Sequence, residues 1–171
     1  ANASNTPFRY YKHYVHEGGI ATPLVVSWPA GLPRERQGQW TTQVGHVKDI
    51  MPTLLELTGA AYPREFAGHP LTPLEGISLV PALQGGSVEI GPLFWEHHGN
   101  RGMRDGDWKL VARAKSGWEL YDFSQGRDET ADLSKAHPEK VAALARRYQE
   151  WADRVGVVEN PPRPTRGSGG E

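Results

Sequence analysis

Hydrophobic residues recur along the chain with two different periods. Over residues 47–58 the apolar side chains fall mostly three and four positions apart, which predicts a helix that ends at Gly59. Between residues 93 and 123, short apolar runs alternate with polar residues and turn sequences, which predicts an antiparallel meander of three or four strands. Residues 138–155 return to the helical period and begin with Pro138, and their apolar stripe is expected to cover one face of the meander.

A further apolar run, Leu24–Trp28, stands between a Gly-Gly pair and Pro29 and is typical of a short buried β-strand. Residues 29–42 and 60–92 are rich in Pro, Gly and charged residues. They are interpreted as loops and turns, with one short helical turn at Ile77–Leu83.

The pattern predicts two structural regions and a tail. Residues 1–87 hold one strand, one helix and much loop, which is too little for a compact domain, so we expect an incomplete piece of a larger α/β domain. Residues 93–156 predict a small α+β unit with an antiparallel sheet and a packed C-terminal helix. Residues 157–171 predict a flexible tail. The chain starts with neither a signal peptide nor an initiator Met, and we expect it to be cut from a longer protein.

Composition excludes several kinds of function. The net charge is -1, so no overall basic field would attract nucleic acid or an anionic membrane. The chain has no Cys, and therefore no disulfide, cysteine-ligated zinc or cysteine nucleophile of its own. No apolar run approaches the roughly 20 residues of a membrane-spanning helix.

Polar side chains cluster just before the first apolar run. They are Lys12, His13, His16 and Glu17, and they are followed by Gly18-Gly19, which allows a positive φ or a close backbone approach. An ammonium group is a natural partner for an oxyanion such as sulfate or phosphate. We expect Glu17 to bond backbone N–H groups near the turn, while the two histidines are either ligand-facing or simply packed.

A second polar cluster follows the first strand of the meander. His97, Asn100 and Arg101 lie at a hairpin from which side chains can reach over a neighbouring cleft, and we predict them as substrate-pocket residues. The alternative is a hydrogen-bonded hairpin end. The adjacent pair His97-His98 does not have a typical zinc-ligand spacing. His46, just before the predicted helix, is interpreted as a structural polar group.

Several short motifs occur in a fixed order along the chain. They are Tyr11-Lys12 with Glu17-Gly18-Gly19-Ile20, Val47 to Gly59, Gly76-Ile77-Ser78-Leu79, Trp95-Glu96-His97, Arg104 to Val111, and Trp118 to Asp122. Together they resemble the type I, arylsulfatase-like sulfatases of the alkaline phosphatase-like superfamily, over about residues 3–155. The resemblance implies an α/β fold in which residues 1–87 end the catalytic domain and residues 93–156 form its C-terminal subdomain.

The resemblance also implies a chemistry. Such enzymes hydrolyse sulfate esters with a formylglycine, made from Cys or Ser in a Cys/Ser-x-Pro/Ala-x-Arg motif, and with Ca²⁺ held by Asp-Asp and Asp-Asn or Asp-His pairs. None of these motifs occurs in this chain. Lys12 stands five residues before Glu17, where the family has a lysine that contacts the substrate sulfate, and His16 is expected to protonate the leaving group. Ala21 stands where the family often has Arg.

The resemblance therefore implies that the chain works only with a sulfatase region N-terminal to it, in a periplasmic or secreted enzyme, and that it is inactive alone. Two alternatives stay open. One is a fragment of a related phosphatase or phosphodiesterase, and the other is a non-catalytic docking module. The identity of the sulfate ester, whether of a sugar, an aryl group or a steroid, is not encoded in these motifs.

Overall fold

The structure, a computed structural model, describes residues 2–158, so the predicted tail from residue 159 onward lies outside the described residues. The chain divides into two compact units, Ala1–Pro23 with Pro92–Glu171, and Leu24–Gly91. This division differs from the predicted boundary after residue 87, because the first 23 residues pack on the C-terminal sheet. The assignment of residues 1–87 to a catalytic domain stays a prediction.

Helices and strands are both present, and the fold is mixed α/β as predicted. The helices are α1 (Glu17–Ile20), α2 (Ile50–Thr58), α3 (Val80–Leu83) and α4 (Pro138–Val155), with short 3₁₀ turns at Asn2–Asn5, Arg34–Arg36, Val47–Asp49 and Phe123–Gln125. The strands are β1 (Glu65–Phe66), β2 (His69–Pro70), β3 (Leu93–His97), β4 (Asn100–Asp105), β5 (Trp108–Ala112) and β6 (Glu119–Asp122). Within residues 2–158 no helix combines the length and the apolar character needed to cross a membrane.

The predicted meander is confirmed as a four-stranded antiparallel sheet in the order β3-β4-β5-β6. Its first hairpin pairs His97 with Asn100 across the two-residue loop His98-Gly99. Both loop residues have positive φ, 52° and 82°, which gives the tight turn that suits the twist of a hairpin. The next hairpin pairs Asp105 with Trp108.

Successive residues of a strand point to opposite faces, and the two faces of this sheet are covered differently. On one face Met103, Leu110 and Leu120 pack against Leu144 and other residues of α4. The apolar stripe predicted for residues 138–155 is thereby confirmed, except that Val155, at the end of the helix, is exposed, while Ala152 is buried. The opposite face packs against the segment that carries the first polar cluster, through residues that include Val15, Val111 and Tyr121.

The unit formed by residues 24–91 is organised around α2, which ends at Gly59 as predicted but begins at Ile50, because residues 47–49 of the predicted helix form a 3₁₀ turn. The backbone N–H of His46 donates to Asp49 Oδ2 at 2.8 Å, and His46 Nδ1 accepts from the backbone N–H of Lys48 at 3.3 Å, which caps the first turn. Burial lowers the pKa of His46 below its usual value, so the neutral ring needed for this cap is favoured. Gly59 ends the helix with a φ of 67°.

The prediction of a buried strand at Leu24–Trp28 is wrong. These residues form no ladder with another strand among residues 2–158, and the exposed fractions of Leu24 and Val25 are 62% and 87%. An apolar run becomes a buried strand only where a neighbouring strand and a covering layer are supplied. A two-residue strand pair, β1 with β2, was not predicted, because its turn is Ala67-Gly68 and lacks a strong hairpin signal.

Shortening Leu120 to Ala is expected to lower the free energy of unfolding by about 2–5 kcal/mol. Leu120 has no exposed surface and lies between the sheet and α4, so the substitution leaves a cavity in the packed core. Val155→Ala, at the exposed end of the same helix, is the matched control and should change stability by less than about 0.5 kcal/mol. Urea denaturation followed by tryptophan fluorescence measures both, and equal losses would contradict this assignment of the core.

Candidate functional site

Residues 9–20, here called the Lys12 loop, lie on the face of the sheet opposite α4. The loop closes on itself where the Gly18 N–H donates to Arg9 O at 2.9 Å. A Cβ atom at Gly18 would lie 2.3 Å from Arg9 O, and one at Gly19 would lie 1.9 Å from Tyr14 O. Neither glycine has a positive φ, so the Gly-Gly pair is required for close approach of backbone rather than for a left-handed turn.

Lys12 stands in the exposed middle of this loop. Its side chain is exposed, and its ammonium forms no hydrogen bond or ion pair with any residue that the structure describes. A charged group that is held on a folded loop without a partner of its own can bind an anion without first breaking another contact.

Glu17 ends the exposed part of the loop and enters a buried ion network. Its Oε1 lies 2.9 Å from Lys109 Nζ, and its Oε2 accepts from Arg127. Lys109 Nζ also lies 2.8 Å from Glu129 Oε1, an ion-pair contact without hydrogen-bond geometry, and Glu129 Oε2 accepts the backbone N–H of Glu17 at 2.9 Å. The prediction that the Glu17 carboxylate bonds backbone N–H groups is therefore wrong, because side-chain cations take that place.

The charge state of Glu17 follows from these contacts. Burial alone would raise the pKa of its carboxyl, but Lys109 and Arg127 outweigh burial and hold the pKa below its usual value. The four side chains of the network carry two negative and two positive charges. The loop is thus fixed by charges that balance one another, and among residues 2–158 they leave the Lys12 ammonium unpaired.

A second network holds the other side of the loop. Glu119 Oε2 accepts from the Tyr121 hydroxyl at 2.5 Å, lies 3.3 Å from His16 Nε2, and is joined by Arg9 at 3.3 Å. The hydrogen bond from His16 lowers the pKa of Glu119 to about 2, although burial opposes the shift; Tyr121 and Arg9 add to it. Burial and the bond to Glu119 raise the pKa of Tyr121.

His16, the predicted leaving-group acid, has no exposed surface. Its ring packs edge-on against Tyr10 with centroids 4.7 Å apart, and its Nδ1 is buried without a hydrogen-bond partner among the described residues. This placement favours a role in holding the loop, and a catalytic role for His16 stays a prediction.

The first hairpin of the sheet brings three imidazoles together. The ring of His13, from the Lys12 loop, lies 5.3 Å from that of His97 and 5.7 Å from that of His98, measured between centroids, and all three side chains are exposed. His97 thus lies beside His13, the residue after Lys12, which is the arrangement expected if Lys12 and His97 line the same pocket. The sequence analysis left the role of His13 open and gave His98 none, because their proximity depends on how the loop packs on the sheet.

Asn100 ties this hairpin to the loop. Its Nδ2 donates to the carbonyl oxygens of His13 at 3.1 Å and His97 at 2.9 Å, and its Oδ1 accepts from Ala114 N at 3.2 Å. Asn100 is 2% exposed, so its amide is buried and both donor hydrogens are used. The geometry favours a positioning role, and direct contact with substrate stays a prediction.

Arg101 does not join Asn100, because adjacent residues of a strand face opposite sides. Its guanidinium lies 4.5 Å from the ring centroid of Trp118 and donates to Ser116 O at 3.2 Å. Trp118 packs against the core formed with α4. The structure therefore brings Lys12, His13 and His97 to one face of the sheet and places Arg101 on the other.

Two residues of the site escaped the sequence prediction. Lys109 occupies a polar position of an alternating strand and would be expected to face solvent, but it has no exposed surface and pairs with Glu17 of the Lys12 loop and with Glu129. Glu129 lies in the irregular segment between β6 and α4, which has no hydrophobic periodicity. The two residues pair only because the fold brings distant segments of the chain together, so no local sequence pattern identifies them. Glu129 also has an unusual positive φ of 53°, but the sequence does not predict it.

The calcium ion and the formylglycine implied by the resemblance do not fit the residues present. Within residues 2–158 no group of three or more His, Cys, Asp or Glu side chains is arranged to hold a metal ion. The chain contains no Cys and no Ser in the required motif.

Protonation of Glu119 is expected to weaken the fold at low pH. Its folded pKa of about 2 lies below the usual value of 4.5, so its contribution is present above pH 4.5 and is lost as the pH falls through about 2. The Glu119→Gln variant should therefore lose less stability than the unmodified protein between pH 4.5 and 2. Urea denaturation at a series of pH values measures this, with Glu150→Gln, in an exposed pair, as control. Parallel pH profiles for the protein and Glu119→Gln would contradict the prediction.

Most of the chain is similar in sequence to curated sulfatases. An uncharacterised sulfatase of Schizosaccharomyces pombe is 31% identical over 169 residues, covering 94% of this chain and 30% of the relative. Arylsulfatase K of Xenopus laevis is 28% identical and covers 85% of this chain and 28% of the relative. The N-acetylgalactosamine-6-sulfatase of Sus scrofa is 34% identical over 73% of this chain and 22% of the relative. The chain thus spans less than a third of the length of these relatives, and no family model matches it.

The similarity to proteins of known structure is weaker. One, of a protein in complex with its substrate D-glucosamine-2-N,6-O-disulfate, has a TM-score of 0.48 and 19% identity over 68% of this chain and 25% of its own. The phosphonate monoester hydrolase of Agrobacterium radiobacter has a TM-score of 0.45 and 22% identity over 62% of this chain and 24% of its own. Scores of this size give no correspondence between individual residues.

Proposed function

Because the chain belongs to the sulfatase family, we propose that it forms part of an enzyme that hydrolyses sulfate esters and that Lys12 contacts the substrate sulfate. The observation that carries this proposal is the exposed Lys12 ammonium, which has no partner in the part of the chain that the structure describes, on a loop whose neighbouring charged residues are already paired. A fixed cation near a reacting sulfate stabilises the negative charge that grows on its oxygens and on the leaving group.

The residues of this chain are proposed to bind and orient the ester. Lys12 would hold a sulfate oxygen, and the imidazoles of His13 and His97 would line the pocket beside it, because they are exposed and lie next to each other. The nucleophile and the metal are expected from residues outside this chain, in the manner implied by the family. On this proposal the 171-residue chain alone shows no turnover, and measurable hydrolysis by it would contradict the proposal.

The unit formed by residues 24–91 supports a dependence on further polypeptide. Val47, Ile50, Met51 and Leu54 form an apolar stripe along one side of α2 and its first turn, yet all four are exposed, while Thr53 on the other side is buried. We propose that the rest of the sulfatase polypeptide covers this stripe. Hydrogen exchange tests this: amides of α2 should exchange more slowly in the full-length protein than in this chain alone. Equal rates would contradict it and favour a separate docking module.

The proposed activity is tested with matched aryl esters and the full-length protein that contains this chain. We expect a higher kcat/KM for 4-nitrophenyl sulfate than for 4-nitrophenyl phosphate. A clear preference for the phosphate would contradict the proposal and favour the phosphatase alternative. One relative is an N-acetylgalactosamine-6-sulfatase, so a sulfated amino sugar is the next substrate to test.

A further inference from the structure

The Lys12 loop is tied to the sheet by charged residues that do not face the proposed substrate. We propose that Glu129, together with Lys109, is a positioning residue that fixes the place of the Lys12 ammonium. This inference rests on the proposed function, because the loop matters for catalysis only if Lys12 contacts the sulfate.

Glu129 contacts both ends of the exposed part of the loop. Its carbonyl oxygen accepts from the Arg9 guanidinium at 2.7 Å, and its Oε2 accepts the backbone N–H of Glu17 at 2.9 Å. Lys12 lies between these two anchored residues. The backbone of residue 129 thus holds the start of the segment that presents the ammonium, and its side chain holds the end, where a substitution acts directly.

Lys109 makes this anchor rigid. It has no exposed surface, and its Nζ lies 2.8 Å from Glu129 Oε1 and 2.9 Å from Glu17 Oε1. It is the second residue of β5, an inner strand of the sheet, and its backbone is paired with Arg104 on one side and Tyr121 on the other. The two carboxylates are thus joined to an inner strand of the sheet through a single ammonium.

A third contact holds the middle of the loop. Asn100 Nδ2 donates to the carbonyl of His13, the residue directly after Lys12. The segment is therefore fixed at its start by the Glu129 carbonyl, beside Lys12 by the Asn100 amide, and at its end by the Glu129 carboxylate. None of these contacts uses the Lys12 ammonium, so the sheet controls where the charge lies without neutralising it.

A double-mutant cycle in the full-length enzyme tests the inference. Glu129→Gln keeps the size of the side chain and removes the charge that pairs with Lys109. We expect it to lower kcat/KM for 4-nitrophenyl sulfate by about tenfold when Lys12 is present, which corresponds to a small displacement of a positioned group. In the Lys12→Met background the same change should lower kcat/KM by less than about twofold, because the group it positions is gone.

Asp105→Asn is the matched control. Asp105 pairs with Arg147 of α4 in the same compact unit, at 2.5 Å, and forms no hydrogen bond or ion pair with the Lys12 loop among the described residues. It should have the same small effect in both backgrounds. Arg127→Gln is a second test variant, since Arg127 bonds Glu17 and is 44% exposed, so its loss leaves no buried cavity. If Glu129→Gln fails to fold, Arg127→Gln takes its place in the cycle, and its loss of kcat/KM should likewise be larger when Lys12 is present than in the Lys12→Met background.

The outcomes separate the two proposals. Equal fold losses from Glu129→Gln, or from Arg127→Gln in its place, in the two backgrounds overturn the positioning role while the sulfatase activity of the unmodified enzyme still stands. Absence of sulfate ester hydrolysis by the unmodified enzyme overturns the proposed function, and the positioning role with it. A loss that depends on Lys12, with Asp105→Asn independent of Lys12, supports the inference.

Discussion

Replacing Lys12 by Met in the full-length protein is expected to lower kcat/KM for a sulfate ester by about 100- to 1000-fold, the usual cost of removing one preorganised group that stabilises charge in the transition state. Met keeps the length of the side chain and removes the ammonium. Because Lys12 is exposed and has no partner among the described residues, the substitution breaks no contact of the fold. The free energy of unfolding should therefore stay within about 0.5 kcal/mol of that of the unmodified protein.

Lys135→Met is the control for Lys12→Met. Lys135 is also exposed and carries the same charge, but it lies in the loop before α4. It should leave kcat/KM within about twofold, as a surface substitution away from the site does. A fall of less than about threefold for Lys12→Met would remove Lys12 from the proposed sulfate site.

Replacing Lys109 by Met has the largest expected effect on stability, a loss of about 3–5 kcal/mol in the free energy of unfolding. The substitution leaves Glu129 buried without its cation and Glu17 with Arg127 alone. A buried charge without a partner is strongly destabilising, whereas the intact pair contributes little net stability. Urea denaturation of the Lys109→Met variant and of the unmodified protein measures the difference in free energy of unfolding.

The exposed pair between Arg146 and Glu150 on α4 supplies the comparison for Lys109→Met. Its charged atoms lie 4.0 Å apart on the helix surface, so Arg146→Gln should cost less than about 0.5 kcal/mol. A loss for Lys109→Met as small as that for Arg146→Gln would show that water reaches the Lys109 site, contrary to its complete burial.

Local patterns were sufficient for the elements that depend on neighbours in sequence. The meander follows from the alternation of apolar residues and from its turns, and α4 follows from Pro138, its apolar stripe and Gly156. The structural role predicted for His46 is explained in the same way, because it caps the 3₁₀ turn before α2 through residues within one turn of each other. In these cases the chain segment itself determines both the element and its ends.

Contacts between distant residues were not predictable from those patterns. Leu24–Trp28 has the composition of a buried strand, but no strand among the described residues pairs with it. Lys109 has the position of a solvent-facing residue and is completely buried, because a segment more than 80 residues earlier in the chain covers it. The same holds for the candidate site. Asn100 and Arg101 are adjacent in sequence and were predicted to line one pocket, but they lie on opposite faces of the sheet.

The central claim is that the Lys12 ammonium binds sulfate, and the most direct measurement is sulfate binding by the full-length protein and its Lys12→Met variant. Isothermal titration calorimetry with inorganic sulfate should give a Kd at least about tenfold higher for Lys12→Met, the loss expected when one charge-assisted hydrogen bond is removed. Lys135→Met should bind sulfate as the unmodified protein does. An unchanged Kd for Lys12→Met would contradict the claim.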